Sequence, residues 1–525
     1  MKWVYVTCLG ETPEAVYGPL WALVERGIKP SKIHVLYTEG VKWLLDKVKK
    51  QMAIVAETSD DVVEATEVDE TDIEDNARTV REIVERYKAE GFKVSVDVTP
   101  GRKPMSIATF QGAIDGQADL VTYLHLMMKD FERKPYPLIP RSVAKLVLLK
   151  GVGSWVSPKP PLVENHEYVE IDQMEIYPFI NLLCEVIDRN TIAIEIPYLD
   201  LKLLTLRLEH PNPKVEYVVD EKTFNENLKN KGLLSAEAFL PFGNERKHIF
   251  LLFRDALIAS GVVDIGHRAL IDEIKREVEE GALRRGFAAV AVDTNALYMR
   301  VVTNYVLSFV EASRLKVLVS NIVIREALAP HTLKEMVKEK EWVEESDKIK
   351  SLALKVGTEA LQLPVKAEPL RSRLSRLAAI ELKELQERTN VMIVSSVSGR
   401  GDLALIESYK QSPDNPIFIT GDVSAANVAE TVKLRTYLIS YDVSVSREAL
   451  KITYTNFPRL IFNLATLLTM ISIRVPKTRI EVHVLGAWRD MITSWSKPTI
   501  LVRAPNPIHE KARQLIEKAR RLQSL

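Results

Sequence analysis

Cysteine is almost absent from this sequence, which limits the ways in which the fold can be stabilised. Among 525 residues only Cys8 and Cys184 are cysteines, and neither belongs to a CxxC pair. A disulfide framework and a thiolate zinc site are therefore excluded. So few thiols suit a reducing compartment, and we expect a cytoplasmic location.

Long apolar runs and an excess of either charge are lacking as well. No run reaches the roughly 20 apolar residues that a membrane span needs, so we expect no membrane association. The 71 basic and 71 acidic side chains cancel, which argues against a protein held on nucleic acid by its overall charge. The GxGxxG fingerprint and the P-loop lysine motif are missing, which argues against dinucleotide or ATP chemistry.

The chain is long enough for three or more domains, and its 46% hydrophobic and 27% charged residues are those of a globular protein. Strands alternate with helical segments in two blocks, a pattern that predicts parallel sheets flanked by helices. The predicted fold class is α/β, with a Rossmann-like N-terminal sheet, a second α/β domain, a mixed α+β connector and a C-terminal extension. The predicted boundaries are 1–150 for the first domain, 151–285 for the connector, 286–445 for the second α/β domain with a helical insertion at 330–389, and 446–525 for the extension.

Two loops of the first domain carry polar groups where a strand leads into a helix. The loop "TCLGETPEA" follows the first strand, and "DVTPGRKPMS" joins a later strand to a helix. Ligands of parallel sheets bind beyond the carboxyl ends of the strands, so both loops are expected to border one crevice. Gly101 permits a tight turn, and Arg102 and Lys103 at a helix N-terminus form an anion site. We therefore predict a ligand that carries phosphate.

Acidic residues recur in the second block near the ends of its predicted strands. Asp293 closes "AVAVD", Glu326 lies one turn into the helix after "KVLVS", Asp402 opens the helix after "VMIVSS", and Asp422 follows "IFITG". Each acid alone could serve as a turn residue or a helix-start acid. Together they could share one pocket, because the carboxyl ends of parallel strands meet at one edge. Carboxylates that lie so close together need a cation to neutralise their charges, and their hard oxygen atoms suit Mg²⁺ or Mn²⁺.

The order of these features resembles the PIN-domain nucleases: "DTN" after an apolar strand, an acid on the second helix, "GD" opening a helix, and then "ITGDVSAANVAE". The resemblance covers roughly residues 286–445. It implies a metal-dependent endoribonuclease acting on single-stranded RNA, with the four acids as catalytic residues and metal ligands. It also implies Asn295 and Thr420 as supporting polar groups. The insertion between Glu326 and Asp402 is longer than the compact family pattern.

The strand, turn and helix around "VTPGRKPMS", together with the polar loop after the first strand, resemble the CRISPR-associated Rossmann-fold (CARF) sensor domains. The resemblance implies a homodimer that binds one cyclic oligoadenylate, with cyclic tetra-adenylate as the expected activator. A ring of even-numbered nucleotides has a two-fold axis, which matches an isologous dimer interface. The expected ligand-binding residues are Thr7, Gly10, Thr12, Thr99, Gly101, Arg102, Lys103, Met105 and Ser106.

Together, the two resemblances predict an endoribonuclease of type III CRISPR antiviral defence that a cyclic oligoadenylate activates. Four alternatives remain open at this stage. The chain could be a ligand-dependent regulator without catalysis, a DNA-cleaving effector, a sensor that degrades its own ligand, or a small-molecule enzyme that uses a nucleotide cofactor.

Overall fold

The computed structural model describes residues 2–151, 161–230, 249–281, 287–332, 370–395, 401–488 and 495–525. Its first 150 residues form a six-stranded sheet with the order β3-β2-β1-β4-β5-β6. Strands β1 to β5 are parallel, and β6 runs antiparallel to β5. The strands are β1 (Trp3–Cys8), β2 (Pro30–Tyr37), β3 (Val63–Glu67), β4 (Lys93–Asp97), β5 (Leu120–Leu126) and β6 (Ala144–Lys150), and the helices are α1 (Pro13–Glu25), α2 (Leu45–Ala56), α3 (Ile73–Ala89) and α4 (Lys103–Asp115).

The central position of β1 follows from its sequence. Val4, Tyr5 and Val6 are all buried, because the strand has neighbours on both sides and helices on both faces. From β1 the chain first adds β2 and β3 on one side and then returns to add β4 on the other. The switch point of this sheet therefore lies between the carboxyl ends of β1 and β4.

A second sheet combines the predicted connector with the predicted C-terminal extension. Its order is β10-β9-β8-β16-β17-β18-β7, and each neighbouring pair is antiparallel. The division by sequence treated the two segments as separate units, whereas the structure joins them in one sheet. The elements from the connector are β7 (Val169–Asp172), α5 (Tyr177–Ile187), β8 (Thr191–Ile196), β9 (Leu201–Arg207), β10 (Lys214–Val218), α6 (Glu221–Asn230), α7 (Ile249–Ala259) and α8 (Arg268–Gly281).

The second α/β block forms a five-stranded sheet with the order β13-β12-β11-β14-β15, in which every pair is parallel. The chain extends from β11 to β13 on one side and crosses to β14 on the other, so the switch point lies between β11 and β14. The elements are β11 (Ala288–Val292), α9 (Thr294–Tyr298), β12 (Leu315–Ser320), α10 (Asn321–Thr332), α11 (Leu370–Arg388), β13 (Asn390–Val394), α12 (Asp402–Lys410), β14 (Ile417–Thr420), α13 (Val423–Thr431) and β15 (Thr436–Leu438).

The chain then returns to the antiparallel sheet and ends on a helix. The last elements are α14 (Phe457–Leu467), β16 (Met470–Arg474), β17 (Glu481–Leu485), β18 (Thr499–Arg503) and α15 (Ile508–Gln523). The prediction of an α/β protein with two parallel sheets is confirmed. Most of the predicted helical insertion at 330–389 lies outside the described residues, and its described C-terminal part is α11.

No helix in the described ranges combines the length and the apolar character needed to cross a bilayer. The buried residues of the three sheets form one large hydrophobic cluster, and a smaller second cluster lies beneath α3 and α4 of the first sheet. The three sheets therefore pack around a largely continuous core.

Candidate functional site

A cavity of about 370 Å³ opens at the switch point of the first sheet. The loop after β1 and the loop after β4 form two of its walls, as the sequence predicted for this edge. The cavity is completed by the segment that follows β2 and by Glu70, which follows β3. The lining residues are Leu9, Gly10, Glu11, Thr12, Ala15, Thr38, Gly40, Val41, Glu70, Thr99, Pro100, Gly101, Arg102 and Met105.

Two glycines bring the main walls of this cavity together. A Cβ atom on Gly10 would lie 3.1 Å from the backbone nitrogen of Gly101, so the two loops touch backbone to backbone. Gly101 has φ +95°, a conformation that side chains with a Cβ rarely adopt. These positions leave backbone groups rather than side chains between the walls.

A buried carboxyl group anchors the loop after β4. Asp97 accepts hydrogen bonds from the hydroxyl of Thr99 at 2.7 Å, from its backbone N–H at 3.2 Å, and from the hydroxyls of Thr7 and Thr122 at 3.4 Å. Complete burial raises the pKa of Asp97 to about 7, although these hydrogen bonds oppose the shift. The Thr99 hydroxyl also accepts from the backbone N–H of Leu124 at 2.7 Å. The end of β4 is thus fixed to its neighbour β5.

Arg102 is the cation at the mouth of the cavity, and the structure pairs it with acids. Its guanidinium forms an ion pair with Glu70 and lies 3.9 Å from Glu11. Its side chain is 70% exposed, so the pair is open to competition by an incoming anion. Both acids follow the ends of strands, and the strand-end argument applied to every loop of this sheet would have found them.

The structure brings six of the nine predicted ligand residues to the cavity lining and leaves three outside it. Thr7 is wholly buried in β1, and its hydroxyl is directed to Asp97, so the prediction that it contacts ligand is corrected. The Ser106 hydroxyl donates to the Pro100 carbonyl at 3.3 Å and shapes the turn instead. Lys103 is exposed at the first position of α4 but does not line the cavity. The six lining residues are Gly10, Thr12, Thr99, Gly101, Arg102 and Met105.

The switch point of the five-stranded sheet holds a buried carboxyl group, that of Asp293. It directly follows the central strand β11 and caps α9 by accepting from the backbone N–H of Ala296 at 2.6 Å. Its second oxygen accepts from the hydroxyl of Thr420, at the end of β14, also at 2.6 Å. The Thr420 oxygen in turn accepts from the backbone N–H of Asp422 at 3.0 Å. The two strands that flank the switch point therefore hold one acid jointly and place a second acid beside it.

The environment of Asp293 disfavours a negative charge. Burial raises the pKa of Asp293 to about 6, the hydrogen bonds from Thr420, Ala296 and Gly421 oppose this shift, and the nearby charge of Asp422 adds to it. Asp422 is exposed and caps α13, accepting from the backbone N–H groups of Ser424 at 2.7 Å and Ala425 at 3.2 Å. A cation beside the two acids would remove both the desolvation cost and the repulsion.

The other predicted site residues lie on neighbouring helices. Glu326 is exposed on α10 and accepts from the hydroxyl of Thr294, the residue after Asp293, at 2.7 Å. Asp402 is exposed at the first position of α12, after the N-cap residue Gly401. Asn295 is exposed on the first turn of α9. Among the described residues no three His, Cys, Asp or Glu side chains come close enough together to hold a metal ion.

The donor set nevertheless fits Mg²⁺ or Mn²⁺. Mg²⁺ is commonly held by one or two carboxylates together with water and substrate phosphates, so it does not need an all-protein cage. Asp293 and Asp422 supply two carboxylates with interacting charges. Glu326 and Asp402 follow β12 and β13 at the same edge of the sheet.

Two tyrosines that the sequence analysis did not single out shape this edge. The Tyr409 hydroxyl donates to the Val292 carbonyl at 2.7 Å and accepts from the Ser320 N–H at 2.9 Å, which ties α12 to the ends of β11 and β12. The Tyr441 ring packs on Gly421, where any Cβ would overlap its carbon atoms. Both tyrosines lie in mostly apolar stretches of the sequence, so the sequence alone does not indicate that their side chains reach this edge.

The comparisons with known proteins yield distant structural similarities. No family model matches the chain, and no curated protein matches it. Can2 from Sulfobacillus thermosulfidooxidans, solved with cyclic tetra-adenylate, is 19% identical over 23% of this chain and 31% of that chain, with a TM-score of 0.19. Protein VC1899 from Vibrio cholerae is 12% identical over 53% of this chain and 58% of that chain, with a TM-score of 0.22.

The third similarity extends over more of the chain. A type III CRISPR defence DNA nuclease activated by cyclic oligoadenylate is 10% identical over 89% of this chain and 70% of that chain, with a TM-score of 0.21. This chain spans less than two thirds of the length of Can2 and of VC1899. TM-scores this low do not establish a common fold, so the function proposed below rests on the residues of this chain.

Proposed function

We propose that this protein is a cyclic-oligoadenylate-activated, metal-dependent endoribonuclease of type III CRISPR antiviral defence. The observation that carries the nuclease assignment is the buried Asp293 carboxyl at the switch point of a parallel sheet, hydrogen-bonded to Thr420 and electrostatically coupled to Asp422. A buried carboxyl with a raised pKa beside a second acid at such an edge is a feature of reactive sites. The PIN-like order of elements in the sequence supports the same assignment.

In this proposal the chain's own groups position the acids. The Ala296 N–H and the Thr420 hydroxyl each engage one oxygen of Asp293 and so fix the plane of its carboxylate. Asp293 and Asp422 would hold Mg²⁺ or Mn²⁺, with Glu326 and Asp402 as additional donors when substrate is present. The metal would supply the positive charge that stabilises the attacked phosphodiester.

The regulatory half of the proposal rests on the cavity of the first sheet. Arg102 and the backbone N–H groups at Gly10 and Gly101 would meet phosphates, and Thr12 would contact a ribose or a base. The exposed apolar residues Ile107 and Phe110 on α4 lie next to this cavity in sequence and support a homodimer. A two-fold dimer would place two cavities around one ring, with cyclic tetra-adenylate as the expected ligand.

Cleavage of labelled single-stranded RNA tests this function. The assay contains Mg²⁺ or Mn²⁺ and either no ligand or cyclic tri-, tetra- or hexa-adenylate, with single-stranded DNA of the same sequence in parallel. We expect cleavage of RNA with one ring size, loss of cleavage with a chelator, and at least about a 100-fold loss in Asp293→Asn, because this variant would lose the metal that stabilises the transition state. Glu407→Gln, which changes an exposed acid on α12, is the matched control.

Each contrary result selects one of the alternatives. Preferential cleavage of DNA would make the protein a DNA-cleaving effector. Full activity of Asp293→Asn would remove the carboxylate site from the proposal. Ligand binding without cleavage of either nucleic acid would leave a regulator, and shortening of the ring itself would show a sensor that degrades its ligand. Binding of a dinucleotide in place of any ring would favour the small-molecule enzyme.

A further inference from the structure

A second cavity, of about 520 Å³, lies between the loop after α7 and the π-helical turn Val302–Val306. Gly261, with φ +70°, packs so closely on Asn304 that a Cβ atom would lie 3.1 Å from the Asn304 Cβ. The Asn304 side-chain amide donates to the Ala259 carbonyl at 2.7 Å. These contacts give the cavity a fixed floor, and its volume is within the range of small-ligand sites, about 300–1,000 Å³. We call it the cationic pocket.

Three basic side chains, those of Arg268, Lys275 and Lys451, line the pocket and are exposed. Within the part of the chain that the structure describes, none of the three forms a salt bridge. Two acids also line the pocket. Asp264 is engaged locally, since it accepts from the Gly266 N–H at 2.9 Å and lies 3.2 Å from a ring nitrogen of His267, while Asp272 is exposed on α8. Burial opposes ionisation of Asp264, but the Gly266 N–H and the nearby charges of His267, Lys451 and Arg268 lower its pKa. Arg268 and Lys451 are thus partly neutralised, and three cations against two acids leave the pocket with a net positive charge toward an anion.

An exposed aromatic ring stands beside these cations. Phe309 is 53% exposed, an unusual exposure for so large an apolar side chain. Its ring lies 5.5 Å from that of His267, which packs edge-on against Tyr305 at 5.1 Å. The inner side of the ring is supported by this stack while more than half of the side chain faces solvent. Such a ring beside exposed cations is the arrangement on which unpaired bases stack while their phosphates are held.

We infer that the cationic pocket binds a single strand of nucleic acid, with one base on Phe309 and the flanking phosphates at Lys275, Lys451 and Arg268. This inference rests on the proposed nuclease function, for which the strand would be the substrate. The position of the pocket is consistent with that role. Burial, and after it the charge of Asp293, raises the pKa of Tyr441, and the phenol of Tyr305, which lines the pocket, is within electrostatic range of the same tyrosine.

Strand binding without cleavage tests the inference directly. Fluorescence anisotropy of a labelled oligouridylate of about 12 nucleotides is measured with the full chain carrying Asp293→Asn, in chelator and over a series of salt concentrations. In that background we expect Phe309→Ala to weaken binding about 10-fold, because one stacked base is lost, and Phe309→Leu to weaken it nearly as much, because the side chain keeps its bulk without a π face. Replacing both Lys275 and Lys451 by Gln should make the plot of log affinity against log salt concentration less steep, by an amount that corresponds to about two phosphate contacts.

Controls and competitors separate the possible outcomes. Lys222→Gln combined with Lys410→Gln, two exposed lysines outside the pocket, should leave binding within the error of the parent. Excess unlabelled strand should displace the probe, whereas cyclic tetra-adenylate should not. If cyclic tetra-adenylate displaces the probe from the parent but no longer does so in Phe309→Ala, the pocket binds the cyclic activator, and the inference is overturned.

The failure of this inference can be told apart from failure of the proposed function. If the pocket variants bind like the parent while the protein with intact Asp293 cuts on ligand addition, the nuclease stands and the inference is overturned. If the variants lose binding but no ring induces cleavage, the pocket stands and the proposed function fails. A parent that binds no strand overturns the inference as well.

Discussion

At the scale of single residues, Asp293 combines two properties that oppose each other in the absence of a cation. It is buried at the end of an apolar strand, and the proposed metal site requires it to be negative. Its pKa in the folded protein, about 6, is higher than the ordinary value of 3.8. Ionisation therefore destabilises the fold, with no cost below the unfolded pKa and the full cost, about 3 kcal/mol, once the pH exceeds the folded pKa.

This opposition predicts how the stability of Asp293→Asn depends on pH. In chelator we expect the variant to melt several degrees above the parent at pH 8 and at nearly the same temperature at pH 4, since Asn carries no charge at either pH. Added Mg²⁺ or Mn²⁺ should raise the melting temperature of the parent at pH 8 and leave the variant unchanged. Differential scanning fluorimetry across this pH range measures both effects. A variant that is less stable than the parent at pH 8 would contradict the burial argument, and Glu407→Gln serves as the control.

Arg102 provides a second prediction at the residue scale, concerning affinity. The ion pair between Arg102 and Glu70 must be broken before a phosphate can replace Glu70 as the partner of Arg102. Exposed pairs of this kind contribute about 0.2–1 kcal/mol, so Glu70→Gln should tighten cyclic tetra-adenylate binding up to about 5-fold. Arg102→Ala should weaken binding more than Lys103→Ala does, because Lys103 does not line the cavity. Titration calorimetry measures all three, with Glu82→Gln on α3 as the control, and weaker binding by Glu70→Gln would show that this acid contacts the ligand itself.

At the scale of elements, α4 has an apolar stripe on its exposed side. Ile107, Phe110 and Ile114 are 56%, 39% and 37% exposed, and their spacing of three and four residues puts them on one face. The proposed homodimer would cover this stripe. Phe110→Glu should therefore shift the protein to a monomer in light scattering and abolish tight binding of the ring. Leu149→Glu, which alters an exposed apolar residue on the edge strand β6, should leave the oligomeric state unchanged, and a parent that is monomeric with ligand would remove this interface from the proposal.

The sequence predicts the parallel sheets because their signal is local. Runs such as "KWVYVT" and "FAAVAVD" followed by helical segments identify strands. The rule that ligands bind at strand ends directs attention to the loops at Gly101 and Asp293, where the structure has a cavity and a buried carboxyl group. The antiparallel sheet could not be predicted in this way. β8 pairs with β16, although the entire five-stranded block lies between these two strands in the chain. Pairing across such a separation depends on packing that no local pattern records.

The arrangement at the carboxylate edge could be predicted in part. Asp293, Thr420 and Asp422 follow from strand ends, and the structure places them in one hydrogen-bonded group. Thr7 illustrates where the rule stops. Thr7 is the second-last residue of β1. Side chains of a strand point alternately to its two faces, and this alternation directs the Thr7 hydroxyl into the core toward Asp97. Whether a polar side chain at a strand end faces the cavity or the core depends on the sheet's neighbours.

At the scale of the whole molecule, the antiparallel sheet contacts both α/β units. From the five-stranded unit, the buried Arg376 of α11 donates to the carbonyls of Gly486 and Thr499, at the ends of β17 and β18. Toward the first unit, α15, which Arg520 ties to Glu175 of the connector, packs against α2. Among the described residues, these contacts provide a route from the cavity of the first sheet to the carboxylate edge through the central sheet and its helices.

The contact between α15 and the first sheet makes this coupling testable. Lys518 forms an ion pair with Glu57 at 2.8 Å, and the side-chain amide of Gln51 donates to the Leu522 carbonyl at 3.2 Å. Lys518→Glu would place two carboxylates together and loosen α15 from α2. We expect the affinity for the ring to stay within about twofold of the parent, while ligand-induced cleavage falls several-fold, because binding and response are separate quantities joined by a coupling free energy. Lys511→Glu, an exposed position on the same helix, is the control, and full activation of Lys518→Glu at saturating ligand would show that the signal reaches Asp293 without passing through α15.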